Sequence, residues 1–126
     1  MTEEARPLRR IAVCVDDAGW SAASDAVILG HLQRGEVTAV SVLVEGPGAA
    51  DWRGYRLPDS AAVGLHLSLT WSPAAGSQGL GALLLRSHLR RLSPTALETR
   101  LCDQLHRFET LLGRPPEFVD GHQHVH

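Results

Sequence analysis

Three short stretches hold the residues of this chain best suited to chemistry: "VDDAGWS" (15–21), "VGLHLSLT" (63–70) and "FVDGHQHVH" (118–126). The first supplies adjacent carboxylates, Asp16 and Asp17. The second supplies His66. The third supplies Asp120 and three histidines at alternate positions, His122, His124 and His126. Carboxylates and imidazoles together are the donor set of a mononuclear divalent metal site. Each piece alone has a plainer explanation, since paired aspartates often form turns and helix caps. A lone histidine in a strand is more often a packed or surface residue than a ligand.

Spacing limits what these residues can do. Alternate side chains of an extended strand lie roughly 6.6 Å apart, whereas metal–nitrogen bonds are about 2.0–2.1 Å. Two neighbours of His122, His124 and His126 could share an ion, but three from a straight strand could not. At least one serves otherwise, by hydrogen bonding to a ligand or touching substrate. Successive side chains also diverge at a strand end, so Asp16 and Asp17 cannot serve an ion equally. One could ligate while the other deprotonates a water.

The elements that must position these groups follow from the apolar pattern. Ile11–Val15 is a continuous, β-branched run of the kind buried on both faces in a parallel sheet. Ser21 or Ser24 can cap a helix running through Ala26, Leu29 and Leu32, which Gly35 would end. A second buried strand follows at Val37–Val44, then a Gly- and Pro-rich loop with at most one short helix near Ala49–Arg53. Val63–Thr70 alternates, with Leu65, Leu67 and Leu69 on one face and His66, Ser68 and Thr70 on the other. A leucine-rich helix is predicted near Leu80–Leu92, and Ser93–Pro94 opens another. Its buried stripe is expected through Leu97, Leu101, Leu105, Phe108, Leu111 and Leu112, up to a stop at Gly113. A last extended piece spans Glu117–His126.

Such alternation indicates an α/β fold with a parallel sheet and right-handed crossovers. Sites in these sheets form beyond the carboxyl ends of the strands. There strand one delivers Asp16 and Asp17, strand two only Glu45, strand three His66, and strand four Asp120, His122, His124 and His126. This convergence at one rim gives the separate motifs their weight.

The bulk properties exclude several classes. The chain has 126 residues, 44% hydrophobic and 21% charged, with a formal charge of −2. It reads as one domain, 1–126, with no concentrated basic face for nucleic acid. Arg86, Arg90 and Arg91 read as a solvated helix face. Cys14 and Cys102 are too distant in sequence to pair as ligands, and Cys14 is expected as a buried small hydrophobe. The polar start "MTEEARPLRR" lacks the apolar stretch of a signal peptide, and nothing approaches the roughly 20 apolar residues of a membrane span. A cytoplasmic location is expected.

The motifs resemble the YdjC-like (ChbG/HpnK-like) carbohydrate deacetylases. "VDDAGWS" resembles the opening "ADDFGLS" of that family, "VGLHLSLT" its "GLHLTLT", "FVDGHQHVH" its "IDSHHHVH", and "RGEVTAVSVLV" its "GIVTSTSLMV". The order and approximate spacing agree from Ile11 to His126. The resemblance implies a parallel (β/α) barrel-like fold of the polysaccharide-deacetylase type. It also implies metal-dependent removal of an N-acetyl group from an amino sugar, such as a chitooligosaccharide or glycolipid head group. Carried over by position, Asp17, His66 and His122 match the ligands of one divalent ion, magnesium or zinc, and Asp16 matches the base that activates water. Ala18 stands where the family usually has phenylalanine, and Gln123 interrupts the histidine run. Family members run to roughly twice this length, and their later strands supply a histidine that protonates the leaving amine. The chain therefore reads as the N-terminal half of such a domain, completed by a second copy or by a C-terminal half. Its outer strands are expected to be open edges with exposed apolar faces. Two other readings compete: a divalent-metal-binding module without turnover, and a metal-dependent phosphoesterase. The latter lacks the glycine-rich nest or clustered basic residues of a phosphate site.

Overall fold

The computed structural model describes residues 9–73, 76–77 and 79–125. Residues 1–8, on which most of the leader reading fell, and His126 lie outside them. Chain order is β1 (Cys14–Ala18), α1 (Ala22–Gln33), β2 (Ala39–Val42), a 3-10 segment (Ala49–Gly54), β3 (Ala62–Leu67), β4 (Trp71–Ser72), β5 (Gly76–Ser77), α2 (Leu80–His88), α3 (Pro94–Leu112) and β6 (Val119–Gly121). A 3-10 turn, His122–His124, follows. Strands β1, β2, β3 and β6 form one parallel sheet in that spatial order, with the crossovers that parallel neighbours require. The α/β parallel architecture is thus as the alternation predicts. The sheet is open, with β1 and β6 as its edges.

The capping signals operate as local chemistry dictates. Ser21 Oγ accepts the Ser24 N–H at 3.2 Å, and Gly35 leaves α1 with φ 69°. Ser93 Oγ accepts the Ala96 N–H at 3.3 Å above Pro94, and Gly113 ends α3 with φ 69°. Helix α2 stops at His88, short of the expected Leu92, and Arg90 just beyond it is left-handed at φ 54°.

The core lies where β2 and β3 are covered on both sides. Val40, Val42 and Val63 have no exposed surface, and Trp52 and Phe108 pack against them from the 3-10 segment and α3. Gly64 interrupts β3 for a steric reason. A Cβ there would lie 2.4 Å from the Phe118 ring, so the glycine makes room for it.

Two expectations about burial are corrected. Ile11 and Val13, 85% and 47% exposed, lie before the strand, which starts only at Cys14, and within it Cys14, Asp16 and Asp17 are exposed, so the first strand is not buried on both faces. Its β-branched run identifies a sheet strand, but β1 has a neighbour on one side only. Val119 is likewise exposed at the opposite edge. In α3, Leu101 and Leu105 are exposed, and the buried positions are Gln104 and Phe108 with the half-buried Leu97, Arg100 and Leu111. The inward stripe passes through two polar residues because they serve the backbone beyond β3. Gln104 accepts the Ser68 N–H at 2.8 Å and donates to the Ser68 carbonyl at 2.9 Å. Among the described residues, no helix is long and apolar enough to cross a membrane.

Candidate metal centre

Strand alternation alone would send Asp16 and Asp17 to opposite faces. Strand β1 breaks that rule. Val15 pairs with Val40 and Ala18 with Val42, so β1 advances three residues while β2 advances two. The extra residue is a bulge, and Asp17 within it is left-handed at φ 58°. Asp17 thereby meets His66 directly, whereas Asp16 reaches Ser41, whose hydroxyl lies 3.2 Å from the other nitrogen of that ring. The strained turn is held by its neighbours: Trp20 N–H donates to Asp17 O (3.2 Å), Leu43 N–H to Ala18 O (2.7 Å) and Gly48 N–H to Gly19 O (2.8 Å). Gly19 N–H donates to the buried Asp25 Oδ1 at 2.8 Å. Gly19 itself has φ 91°, and a Cβ there would lie 3.0 Å from the Leu43 carbonyl oxygen.

Three side chains then converge at the carboxyl ends of β1, β3 and β6. Asp17 Oδ1 lies 3.1 Å from His66 Nε2 and 2.8 Å from His122 Nδ1. The imidazole rings meet edge to face, with centroids 5.4 Å apart. One donor atom from each of Asp17, His66 and His122 falls within 4.8 Å of the other two. Bonds of about 2.0–2.1 Å put adjacent donors about 2.8–3.0 Å apart in an octahedral shell and about 3.3–3.4 Å apart in a tetrahedral one. The two short separations match that spacing within a few tenths of an ångström, so the donor set fits a divalent ion.

The far side of His66 is also prepared. His66 and Asp120 are direct partners in the β3–β6 register, and Nδ1 lies 2.7 Å from Asp120 Oδ1. Ser41 Oγ, fully buried on β2, is 3.2 Å from the same nitrogen. With the Nδ1 proton donated to Asp120, the Nε2 lone pair faces Asp17, as in carboxylate–histidine–metal relays. The His66 side chain is only 4% exposed, so water does not compete for either nitrogen. Asp120 stood on the rim in the sequence but had no role. Its function lies in strand register, which spacing within one motif does not reveal.

Asp16 stands outside this triangle. Its Oδ1 is 3.5 Å from Ser41 Oγ, and it groups with Cys14 and Asp120, donor atoms within 4.8 Å of one another. Partial desolvation, then the charges of Asp16 and Asp120, push the Cys14 thiol up to about 11. Cys14 is therefore a neutral thiol at neutral pH, and it lies on an exposed edge rather than in the core.

The remaining rim residues go elsewhere. The extended piece ends at Gly121, where Gln123 (φ 58°) and His124 (φ 54°) turn the chain. This turn replaces the straight strand assumed for the histidine run. His122 enters the site, whereas His124 is exposed and belongs to neither donor group. Glu45 is buried and pairs with Arg100 at 3.1 Å.

Comparisons with known proteins bear on the family and the fold. The chain is 35% identical to a carbohydrate deacetylase of Mus musculus, over 95% of this chain and 44% of that protein. It is 32% identical to a chitooligosaccharide deacetylase of Serratia marcescens, over 92% of this chain and 50% of that protein. It thus spans about half the length of the curated relatives it matches. A solved structure from Enterococcus faecalis V583, described as a cellobiose-phosphate cleavage protein, superposes with a TM-score of 0.71 at 21% identity. The match covers 90% of this chain and 48% of the other, and it shows a shared fold. The family model for YdjC-like protein matches residues 10–126, and the chain belongs to that family.

Proposed function

We propose that this chain supplies the metal-binding and water-activating residues of a hydrolase that removes an N-acetyl group from an amino sugar. The observation that carries the reading is Asp17 Oδ1 within 3.1 Å of His66 Nε2 and 2.8 Å of His122 Nδ1. The names of the relatives, carbohydrate and chitooligosaccharide deacetylase, support the substrate class.

In this reading Asp17, His66 and His122 hold one divalent ion, zinc or magnesium. When bound, such an ion polarises a carbonyl as a Lewis acid and acidifies a water. Asp120 keeps the His66 ring turned and in one tautomer. Asp16 takes a proton from the water as its oxygen bonds to the acetyl carbon. The carbon–nitrogen bond then breaks as the amine takes up a proton, and the protonated Asp16 is our candidate to return it. The products are acetate and the free amino sugar. Acetate released from N,N′-diacetylchitobiose by the purified protein with zinc or magnesium tests this directly. Enzyme-dependent release supports it, and none with either ion removes turnover from the reading.

A metal-binding module without turnover is the second reading. The half-exposed Asp17 side chain favours it, because hydrolysis benefits from a site that excludes bulk water. Metal binding without acetate release distinguishes the two. A phosphoesterase is disfavoured, since no arginine hydrogen-bonds to Asp16, Asp17, His66, His122 or Asp120 among the described residues.

A further inference from the structure

The turn that presents Asp17 also presents Trp20. Its N–H closes the turn on the Asp17 carbonyl at 3.2 Å, so metal-site carboxylate and indole are fixed three residues apart on one braced loop. The Trp20 ring meets Trp71 edge to face, with centroids 5.5 Å apart at 62°. Trp71 is itself anchored. Its indole N–H donates to the Glu45 carbonyl at 3.0 Å and its backbone N–H to Ser68 Oγ at 3.0 Å, while Arg100 hydrogen-bonds its carbonyl oxygen. Hydrogen bonds from α3 and from the segments that follow β2 and β3 thus immobilise one tryptophan, which braces a second.

Trp20 nevertheless remains 44% exposed. A tryptophan serving only to fill the core would be covered. It lines, together with Asp17, His122 and Val27, an open cleft of about 630 Å³. That volume lies within the range of small-molecule sites, about 300–1,000 Å³. The cleft combines a mostly apolar wall with polar groups at the end beside the metal centre. A rigid aromatic face held in advance loses little entropy on binding.

We propose that Trp20, braced by Trp71, is a stacking platform for a sugar ring of the substrate. The C–H bonds of a pyranose ring carry the partial positive charge that an indole face attracts. The inference rests on the deacetylase reading for its ligand class, but its test does not require turnover.

The test is calorimetric titration of the full chain with tri-N-acetylchitotriose, for wild type, Trp20→Ala and Trp20→Phe, alongside titration with zinc. Loss of one aromatic stack should weaken chitotriose binding by about tenfold. The expected result is such a loss in Trp20→Ala, substantial recovery in Trp20→Phe, and unchanged zinc affinity in both. Equal chitotriose binding by wild type and Trp20→Ala overturns the platform and leaves the metal reading intact. Parallel loss of sugar and zinc in Trp20→Ala also overturns it, because the substitution then acts through the turn. No chitotriose binding by wild type with zinc retained overturns both the platform and the sugar reading. Trp20-dependent sugar binding without zinc binding supports the platform and sinks the metal site.

Discussion

Replacing Asp120 by alanine removes the carboxylate from His66 Nδ1 without touching a proposed ligand. The bond lost is 2.7 Å long, made to a ring whose side chain is 4% exposed, so water cannot readily substitute. Losing such a partner costs about 10- to 100-fold in metal affinity, or about 1.4–2.7 kcal/mol. The structure decides where in that range the effect falls. Ser41 Oγ is already 3.2 Å from the same nitrogen and can accept its proton. Asp120→Ala alone should therefore sit near tenfold, Ser41→Ala alone should be small, and the double variant should approach 100-fold. That non-additivity is the signature of two acceptors sharing one proton. Zinc affinity would be measured by competition with a chromophoric chelator at fixed pH, with apo-protein melting recorded in parallel. A double variant that binds zinc within twofold of wild type would refute the claim that these groups set the His66 ring.

Three further outcomes are expected. Asp16→Asn should retain metal and, in an active preparation, lower turnover by about 10²–10⁴-fold; near-normal turnover removes Asp16 as the base. Gln104→Ala should cost about 1–3 kcal/mol by urea unfolding, because it strands the buried Ser68 N–H and leaves its carbonyl to Arg100 alone. Leu105→Ala, at a position 38% exposed, should cost less, and the reverse order would contradict the α3 packing described here. In a Cys102→Ser background, alkylation of Cys14 should keep rising with pH and level off only near about 11, because the thiolate is the reactive form. Asp120→Asn should shift that profile to lower pH, and an unmoved profile would show that the carboxylate does not act on the thiol.

The order of elements was legible because caps and apolar runs are local. Ser21, Ser93, Gly35 and Gly113 mark their helix ends by backbone chemistry that needs no tertiary context. That acidic and imidazole donors gather at one rim was likewise legible, because a parallel sheet brings its strand ends together, but the choice of Asp17, His66 and His122 among them came from the resemblance to the family. Other features depended on relations between segments. The β1 bulge is a mismatch with β2, and nothing in "VDDAG" by itself announces it. Asp120 acquires its partner through β3–β6 register. The α3 stripe was misplaced because leucine spacing marks a helix face only when apolar residues are what it buries. Here Arg100 and Gln104 turn inward to satisfy the Ser68–Trp71 backbone. Ile11 and Val13 are exposed because they precede an edge strand, and a residue run encodes neither that boundary nor the edge.

The central claim is that Asp17, His66 and His122 form one divalent metal site. Its most direct test is metal stoichiometry after zinc loading and exhaustive dialysis, measured by elemental analysis on folded wild type and the Asp17→Ala, His66→Ala and His122→Ala variants. The account predicts one ion per wild-type chain and loss of specific binding in each variant. Unchanged stoichiometry in any of the three would remove that residue as a ligand, and unchanged stoichiometry in all three would contradict the site.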